Sequence, residues 1–402
     1  MYLNLSIQYL VLSTLFINIQ SLSTGSNSGT STNSNNKNEI SRIAVMTSGG
    51  DCPSLNACIR AIYKTAKTRG VEVIGLPTAL PGLMKDDTDA FELDGTYAST
   101  SMLTKGGSRL GGFVAADYNG GFDKLTLDEK VDKITASMRK LKIDGIIATG
   151  GDSTFDRLAQ LSHHAGGKIP FVGIPKTIDN DIPGTIFALG FNSAVCTAAD
   201  AIANIRDTAE SHRRVIVVEC MGREAGFLTL HAGIAGGADT ILLGEFPVDN
   251  DKLVQHVREV YDEHKCAVIT VSESVALPQT GKSSMYFTAD RRSRYGGSAE
   301  AIARFLSETL EVDARHLVLG HLQRGGSPSS FDKVLATNLG SHAVNALCSG
   351  MSEVFVTWNG TGVENVQLDD IRGAPSKSVT SDYSELITAQ AMGIYCGETM
   401  TD

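Results

Sequence analysis

The sequence predicts an α/β protein built on largely parallel sheets flanked by helices, and two observations carry that prediction. Short apolar runs of strand length recur at residues 43–47, 71–76, 144–148, 170–174, 214–219, 266–271, 316–320 and 353–357, with helical patterns between most of them. That alternation is the signature of βαβ units. Several of these runs also end in glycine- or aspartate-rich turns, at the strand ends where open α/β sheets bind ligands.

Taken in order, Ile43-Ala44-Val45-Met46 reads as a buried strand, and Thr47-Ser48-Gly49-Gly50-Asp51-Cys52-Pro53 as a turn leading into a helix from Leu55 to Lys67. Glycines there permit close backbone approach, and a helix N-terminus offers unpaired N–H groups to a phosphate. The same plan repeats at Ile146-Ile147-Ala148, followed by Thr149-Gly150-Gly151-Asp152-Ser153-Thr154 and a helix to about His164. Asp152 is a candidate Mg²⁺ carboxylate, because magnesium takes one or two protein carboxylates and fills its shell with phosphate oxygens and water. Phe171-Val172-Gly173-Ile174 is a third buried strand, and Pro175 and Pro183 bracket a loop that does not favour helix. Within it, Lys176, Thr177, Asp179 and Asp181 place two carboxylates beside an amine and a hydroxyl. Phosphoryl transfer to an alcohol needs such a set: a base, a divalent cation and fixed positive charge. The plainer reading of each turn is ordinary turn chemistry, with side chains capping backbone amides. Three such turns in one chain favour the functional reading. From Pro183 to Arg206 an Ala-rich helical pattern (Ala194, Ala198, Ala201, Ile202, Ile205) leads into Asp207-Thr208-Ala209-Glu210-Ser211 and is expected to join two lobes.

Composition narrows the function classes. The chain has 402 residues, 42% of them hydrophobic, and a net charge of −10, enough for a substantial core and unfavourable for nucleic acid. Arg206, Arg213, Arg214, Arg223, Arg315 and Arg324 stand near expected element ends, where they could converge on a phosphorylated substrate. Seven cysteines form no Cys-x-x-Cys pair and nine histidines no ligand spacing, so the thiols read as reduced core residues of a cytoplasmic protein. Residues 1–40 stand apart. Tyr9 to Ile19 is an apolar run too short to span a bilayer, with no Lys or Arg before it, and Ser21 to Asn38 is Ser/Thr/Asn/Gly-rich. This extension reads as a targeting segment, a disordered tail or an early translation start, and no membrane association is expected of the domain after it.

Read together, the loops at 47–53, 150–154 and 175–182, with Met221-Gly222-Arg223 and His321-Leu322-Gln323-Arg324-Gly325-Gly326-Ser327-Pro328, resemble those of the phosphofructokinase family from about Ile43 to at least Gly350. The resemblance implies a two-lobed subunit that phosphorylates the 1-hydroxyl of fructose 6-phosphate in glycolysis, using Mg²⁺ and either ATP or pyrophosphate. It implies a donor and Mg-binding lobe at 41–189, a fructose 6-phosphate lobe at 190–321, and a return segment with the C-terminal tail at 322–402. Asp179 would be the general base. Thr177, Asp181 and Lys176 would assist it, and Asp152 would hold the metal. Arg223 would stabilise charge on the transferring group. Gly50, Gly151, Ser153, Thr154 and Arg109 would line the donor site. Met221, Gly222, Glu273, His321 and Arg324 would bind the sugar phosphate. Arg214 and Arg315 match arginines that the family donates from a neighbouring subunit, so a homo-oligomer, dimer or tetramer, with shared active sites is implied.

Departures from the family pattern bear on the donor. Ser153 and Lys176 form a mixed signature. Serine is small and neutral and lacks the carboxylate that would repel a nucleotide's α-phosphate, which favours ATP, with pyrophosphate as the alternative. Val114 stands where many members carry an arginine, for which Arg109 is a candidate substitute, and Ser54 replaces a common glycine. Arg60 and Arg206 match basic effector positions of regulated members while other such positions do not, so effector binding is not assumed. The sequence disfavours two other classes. A non-catalytic sugar-phosphate or nucleotide sensor is disfavoured by the intact Asp152, Asp179 and Arg223. A dinucleotide-binding dehydrogenase is disfavoured because no glycine-rich turn carries the acidic residue expected about twenty positions on.

Overall fold

The structure is a computed structural model that describes residues 40–112, 124–276, 282–283, 285–287 and 293–398. The readings placed on residues 1–39 and on Val114 lie outside the described residues. The chain divides into the units Met1–Asn38 and Glu39–Asp402, and every described residue belongs to the second.

Strands β1 (Arg42–Thr47), β2 (Glu72–Leu76), β3 (Phe91–Glu92), β4 (Gly145–Gly150), β5 (Phe171–Thr177) and β6 (Leu189–Gly190) come first. They are followed by β7 (Val215–Cys220), β8 (Thr240–Leu242), β9 (Ala267–Ser272), β10 (Met285–Phe287), β11 (Ser293–Tyr295), β12 (Ala314–Val318), β13 (Val354–Trp358) and β14 (Val363–Gln367). The larger sheet runs β14-β13-β5-β4-β1-β2-β3, with β6 paired to the end of β5, and the smaller runs β12-β7-β9-β8. All pairs of the smaller sheet are parallel, whereas the larger one carries antiparallel edges at β3 and β14.

Helices cover both faces of each sheet, which is why the inner strands are apolar without alternation. They are α1 (Leu55–Thr68), α2 (Ala79–Met84), α3 (Leu127–Leu141), α4 (Asp152–His164), α5 (Phe191–His212), α6 (Phe227–Gly236), α7 (Asn250–His264), α8 (Ser298–Leu310), α9 (Ser330–Cys348), α10 (Leu368–Ile371) and α11 (Ser384–Ala391). In β1 the side chains still divide by parity. Ile43 and Val45 pack with Ile59 and Ile62 of α1 and Leu339 of α9, while Ala44 and Met46 pack with Ile134 of α3 and Leu158 of α4. Helices α1 and α9 approach closely at Gly340, where a Cβ would stand 2.7 Å from the Cys58 carbonyl oxygen. In the smaller sheet, Ile216 and Val218 pack with Ala198 and Ile202 of α5 and Leu228 of α6. Val215 and Val217 pack with Val257 of α7 and Ile302 of α8.

Most element ends fall within two residues of the sequence reading, and three differ in ways that matter. Strand β5 runs on through Pro175, Lys176 and Thr177, expected to lie in the loop, because Lys176 and Thr177 pair with Leu189 and Gly190 of β6. The helix expected from Pro183 begins at Phe191 and continues through the 207–211 segment to His212. The Asn180 side chain donates to the Ile186 carbonyl and accepts from the Ala188 N–H, both at 2.9 Å, so it holds 181–188 as a loop. The strand expected at 316–320 is displaced to Ala314–Val318, because the chain turns into a 3₁₀ helix at Gly320–Arg324. Helix α3 shows a full capping box, with Thr126 and Glu129 exchanging backbone bonds at 2.8 and 3.3 Å. The seven cysteines are free, and five of them are buried.

Candidate active site

The glycine and aspartate turns all leave carboxyl ends of strands, and the loops of the two sheets meet there. Lys176, near the carboxyl end of β5, is buried, and its amine donates to the Gly50 carbonyl in the turn after β1. Arg324, in the 3₁₀ turn after β12 of the other sheet, donates from Nη1 to the Asp51 carbonyl at 3.1 Å. Gly50 permits this packing, since a Cβ there would lie 2.5 Å from Arg324 Nη1. A Cβ on Gly106 would strike the Gly326 carbonyl, so the 106–111 loop also closes against the second sheet's turn. Thr154 Oγ1 donates to Ser48 Oγ at 3.1 Å and ties the start of α4 to the β1 turn. Gly151 has open space where a Cβ would project, and Ser153 is exposed.

The Asp179–Asp181 loop lies beside these turns. Asp179 is 6% exposed, its N–H donates to Thr177 Oγ1 at 3.0 Å, and its buried Oδ1 has no hydrogen-bond partner. Burial, reinforced by the charge of Asp181, pushes the Asp179 carboxyl up to about 6, against the pull of Arg324, Arg223 and Lys176. Burial likewise lifts Asp152 to about 6, with Asp181 and then Asp156 adding repulsion. Burial also raises Asp181 and lowers Lys176. Among the described residues no three His, Cys, Asp or Glu side chains gather into a metal site. The oxygen donors and excess negative charge at Asp152 and Asp181 fit a hard divalent cation that takes most of its ligands from phosphate and water.

From the smaller sheet, Glu273 follows β9 and accepts on one oxygen from the N–H groups of Gly222, at 3.2 Å, and Arg223, at 2.8 Å. That carboxylate holds a strained turn, with φ of 142° at Gly222 and 54° at Arg223. Glu273, Met221 and His321 line a cavity of about 270 Å³, with Glu219, Tyr295 and Gly297. Sequence reading missed Glu219 and the 295–297 segment. Glu219 accepts from the N–H groups of Gly297 and Ala299 at 3.1 and 3.0 Å, capping α8. The Gly296-Gly297 pair just before a helical run was the available signal.

Not every expected arginine reaches the cleft. Arg214 and Arg315 both clasp Asp313, at 2.7 and 2.8 Å, at the amino ends of β7 and β12, opposite the cavity. Arg206 pairs with Asp239 at 2.9 Å, Arg213 closes α5, and Arg60 donates to the Ala98 carbonyl at 3.0 Å. The Arg109 guanidinium donates to Thr96 Oγ1 at 2.8 Å and lies 4.7 Å from the centre of the Tyr97 ring. Ser54 is fully buried.

Glycine turns at strand ends, a buried lysine with arginines beside it and crowded carboxylates define a phosphate-handling α/β protein. The sequence model of the phosphofructokinase family matches residues 42–347, and the chain belongs to that family. A pyrophosphate–fructose 6-phosphate 1-phosphotransferase of Dictyoglomus thermophilum is 39% identical over 351 residues, covering 86% of this chain and 97% of its own. An ATP-dependent 6-phosphofructokinase 3 of Streptomyces coelicolor is 38% identical over 335 residues, covering 82% of this chain and 94% of its own. The solved phosphofructokinase of Saccharomyces cerevisiae aligns with a TM-score of 0.70 at 26% identity over 82% of this chain. This chain spans 45% of the yeast one.

Proposed function

We propose that this chain is a 6-phosphofructokinase that transfers the γ-phosphoryl group of ATP to the 1-hydroxyl of fructose 6-phosphate, giving fructose 1,6-bisphosphate. The observation that carries this reading is Asp179, a buried carboxylate with a free oxygen, set among Lys176, Arg223 and Arg324. Its oxygen takes the proton of the sugar hydroxyl as that hydroxyl's oxygen bonds to phosphorus and the bond to the ADP oxygen breaks. Arg223, fixed by Glu273, faces the charge that develops on the transferring group. His321, Met221 and Arg324 hold the sugar phosphate, for which a forked guanidinium suits the 6-phosphate. Asp152 would hold Mg²⁺, which when bound supplies charge neutralisation on the donor phosphates. On this reading the larger sheet carries the donor and the smaller sheet the sugar phosphate. Arg214 and Arg315 serve the site of a neighbouring subunit.

The ATP assignment rests on residue 153. Ser153 is neutral and exposed beside Gly151, whose open side leaves room for a nucleotide's α-phosphate. Pyrophosphate is the second reading, favoured by Lys176 and by the name of the Dictyoglomus relative. Initial rates with fructose 6-phosphate and Mg²⁺, offering each donor separately, decide between them. Turnover with ATP alone is the expected result, and turnover with pyrophosphate alone would overturn the donor assignment.

A further inference from the structure

Beyond the span of 42–347 that the family model matches, the chain returns to the cleft through the segment between α10 and α11. Residues 374–376 and 378 are exposed, whereas Lys377 is half-buried and Val379 is 3% exposed. This extended piece therefore turns alternate side chains inward. The Lys377 N–H donates to the Asp181 carbonyl at 2.7 Å, and its Nζ donates to the Thr185 carbonyl at 2.7 Å. One residue thus grips both ends of the Asp181–Thr185 span, which contains Pro183, without an N–H to donate, and Gly184 at φ +78°.

The same segment reaches the other sheet two residues later. The Val379 N–H donates to Glu245 Oε1 at 3.0 Å, and that oxygen also accepts from the Gly226 N–H at 2.7 Å. Gly226 closes the turn that carries Met221, Gly222 and Arg223. The Lys377 amine also lies 5.8 Å from the centre of the Phe227 ring, at the first residue of α6. Between residues 377 and 379, one strap is bonded directly to the loop bearing Asp179 and Asp181 and, through the shared Glu245 carboxylate, to the turn bearing Arg223.

We propose that Lys377 is a positioning residue for phosphoryl transfer, clamping the Asp179–Asp181 loop and, through Val379 and Glu245, registering it against the Arg223 turn. The proposal rests on the reading of this cleft as the phosphoryl-transfer site, because the groups it aligns are those assigned there. A misplacement of reacting groups by about 1 Å can cost on the order of a hundredfold in rate, so a clamp of this kind affects turnover more than substrate affinity.

The test compares the full-length wild type with Lys377→Met and Lys377→Arg, by amide hydrogen exchange and by steady-state kinetics. Lys377→Met should speed exchange in peptides covering 177–187 and 222–230 by about tenfold, the loss of a charge-assisted bond, and leave the α1–α9 pair unchanged. It should lower kcat by about tenfold or more, keep KM for fructose 6-phosphate within about twofold, and be largely rescued by Lys377→Arg. Exchange is read without substrate. A wild type that fails to turn over fructose 6-phosphate therefore defeats the functional reading and leaves the clamp separately measurable. Unchanged exchange in both peptides, exchange raised uniformly along the chain, or an unchanged kcat per folded molecule would overturn the proposal. Should Lys377→Met not fold, Lys377→Gln, which keeps a donor at shorter reach, is judged by the same readouts.

Discussion

At the scale of single residues, Asp179 meets opposed demands. A base must be ionised to accept a proton, yet burial in this loop penalises the ionised form and lifts its carboxyl to about 6. Two measurements follow. The kcat/KM profile should fall on the acid side of about pH 6, as Asp179 takes up a proton and ceases to act as a base. The effect on stability has the reverse sign. A carboxyl raised above its unfolded value of 3.8 favours the folded state at low pH, a contribution lost as pH rises through about 6. Asp179→Asn, which removes the buried charge, should therefore be more stable than wild type at pH 8, by on the order of 1–3 kcal/mol, with the gap closing by pH 4. Denaturant midpoints at the two pH values check this. Part of the residue-level picture was legible in sequence, since Lys176, Thr177, Asp179 and Asp181 fall in one short run and are chemically distinctive. Glu219 and Lys377 were not legible, because a buried cap and a distant strap reveal themselves only through partners about 80 and 190 residues away.

At the scale of elements, the turn between β7 and α6 is where strain and function meet. Gly222 sits at φ +142°, and a Cβ there would stand 2.5 Å from the Ala225 carbonyl oxygen. Gly222→Ala has to shift that turn, and Arg223 with it. We expect kcat to fall by about a hundredfold while the midpoint of thermal unfolding drops only modestly, because the turn is local. Gly340→Ala tests the opposite case. It pushes on the Cys58 backbone across the α1–α9 contact and should lower stability by about 1–3 kcal/mol with kcat nearly unchanged, as calorimetry and assay would show. The buried strands were legible because helices on both faces leave continuous apolar runs. The start of α5 was not, because the Ala-rich pattern continues while Asn180 holds the preceding segment in a loop. The two-residue error at β12 has a similar origin, with Leu317-Val318-Leu319 staying apolar as the chain turns toward Gly320.

At the scale of the whole molecule, the two sheets present their carboxyl ends to one cleft, and the amino ends of β7 and β12 carry Arg214 and Arg315 on Asp313. If these arginines complete a neighbour's site, an Arg223→Ala subunit and an Arg315→Ala subunit compensate each other. A hybrid then contains a site with its own Arg223 and a partner's Arg315. Mixing the two inactive variants under subunit exchange should restore activity, and no recovery would place Arg315 outside the site. The central claim, that Asp179 is the base of a phosphotransferase and not part of a binding-only cleft, is tested most directly by measuring fructose 6-phosphate turnover and binding for Asp179→Asn beside wild type. The account predicts a loss of turnover of about 10²–10⁴-fold with sugar-phosphate binding retained, and turnover within a few-fold of wild type would contradict it.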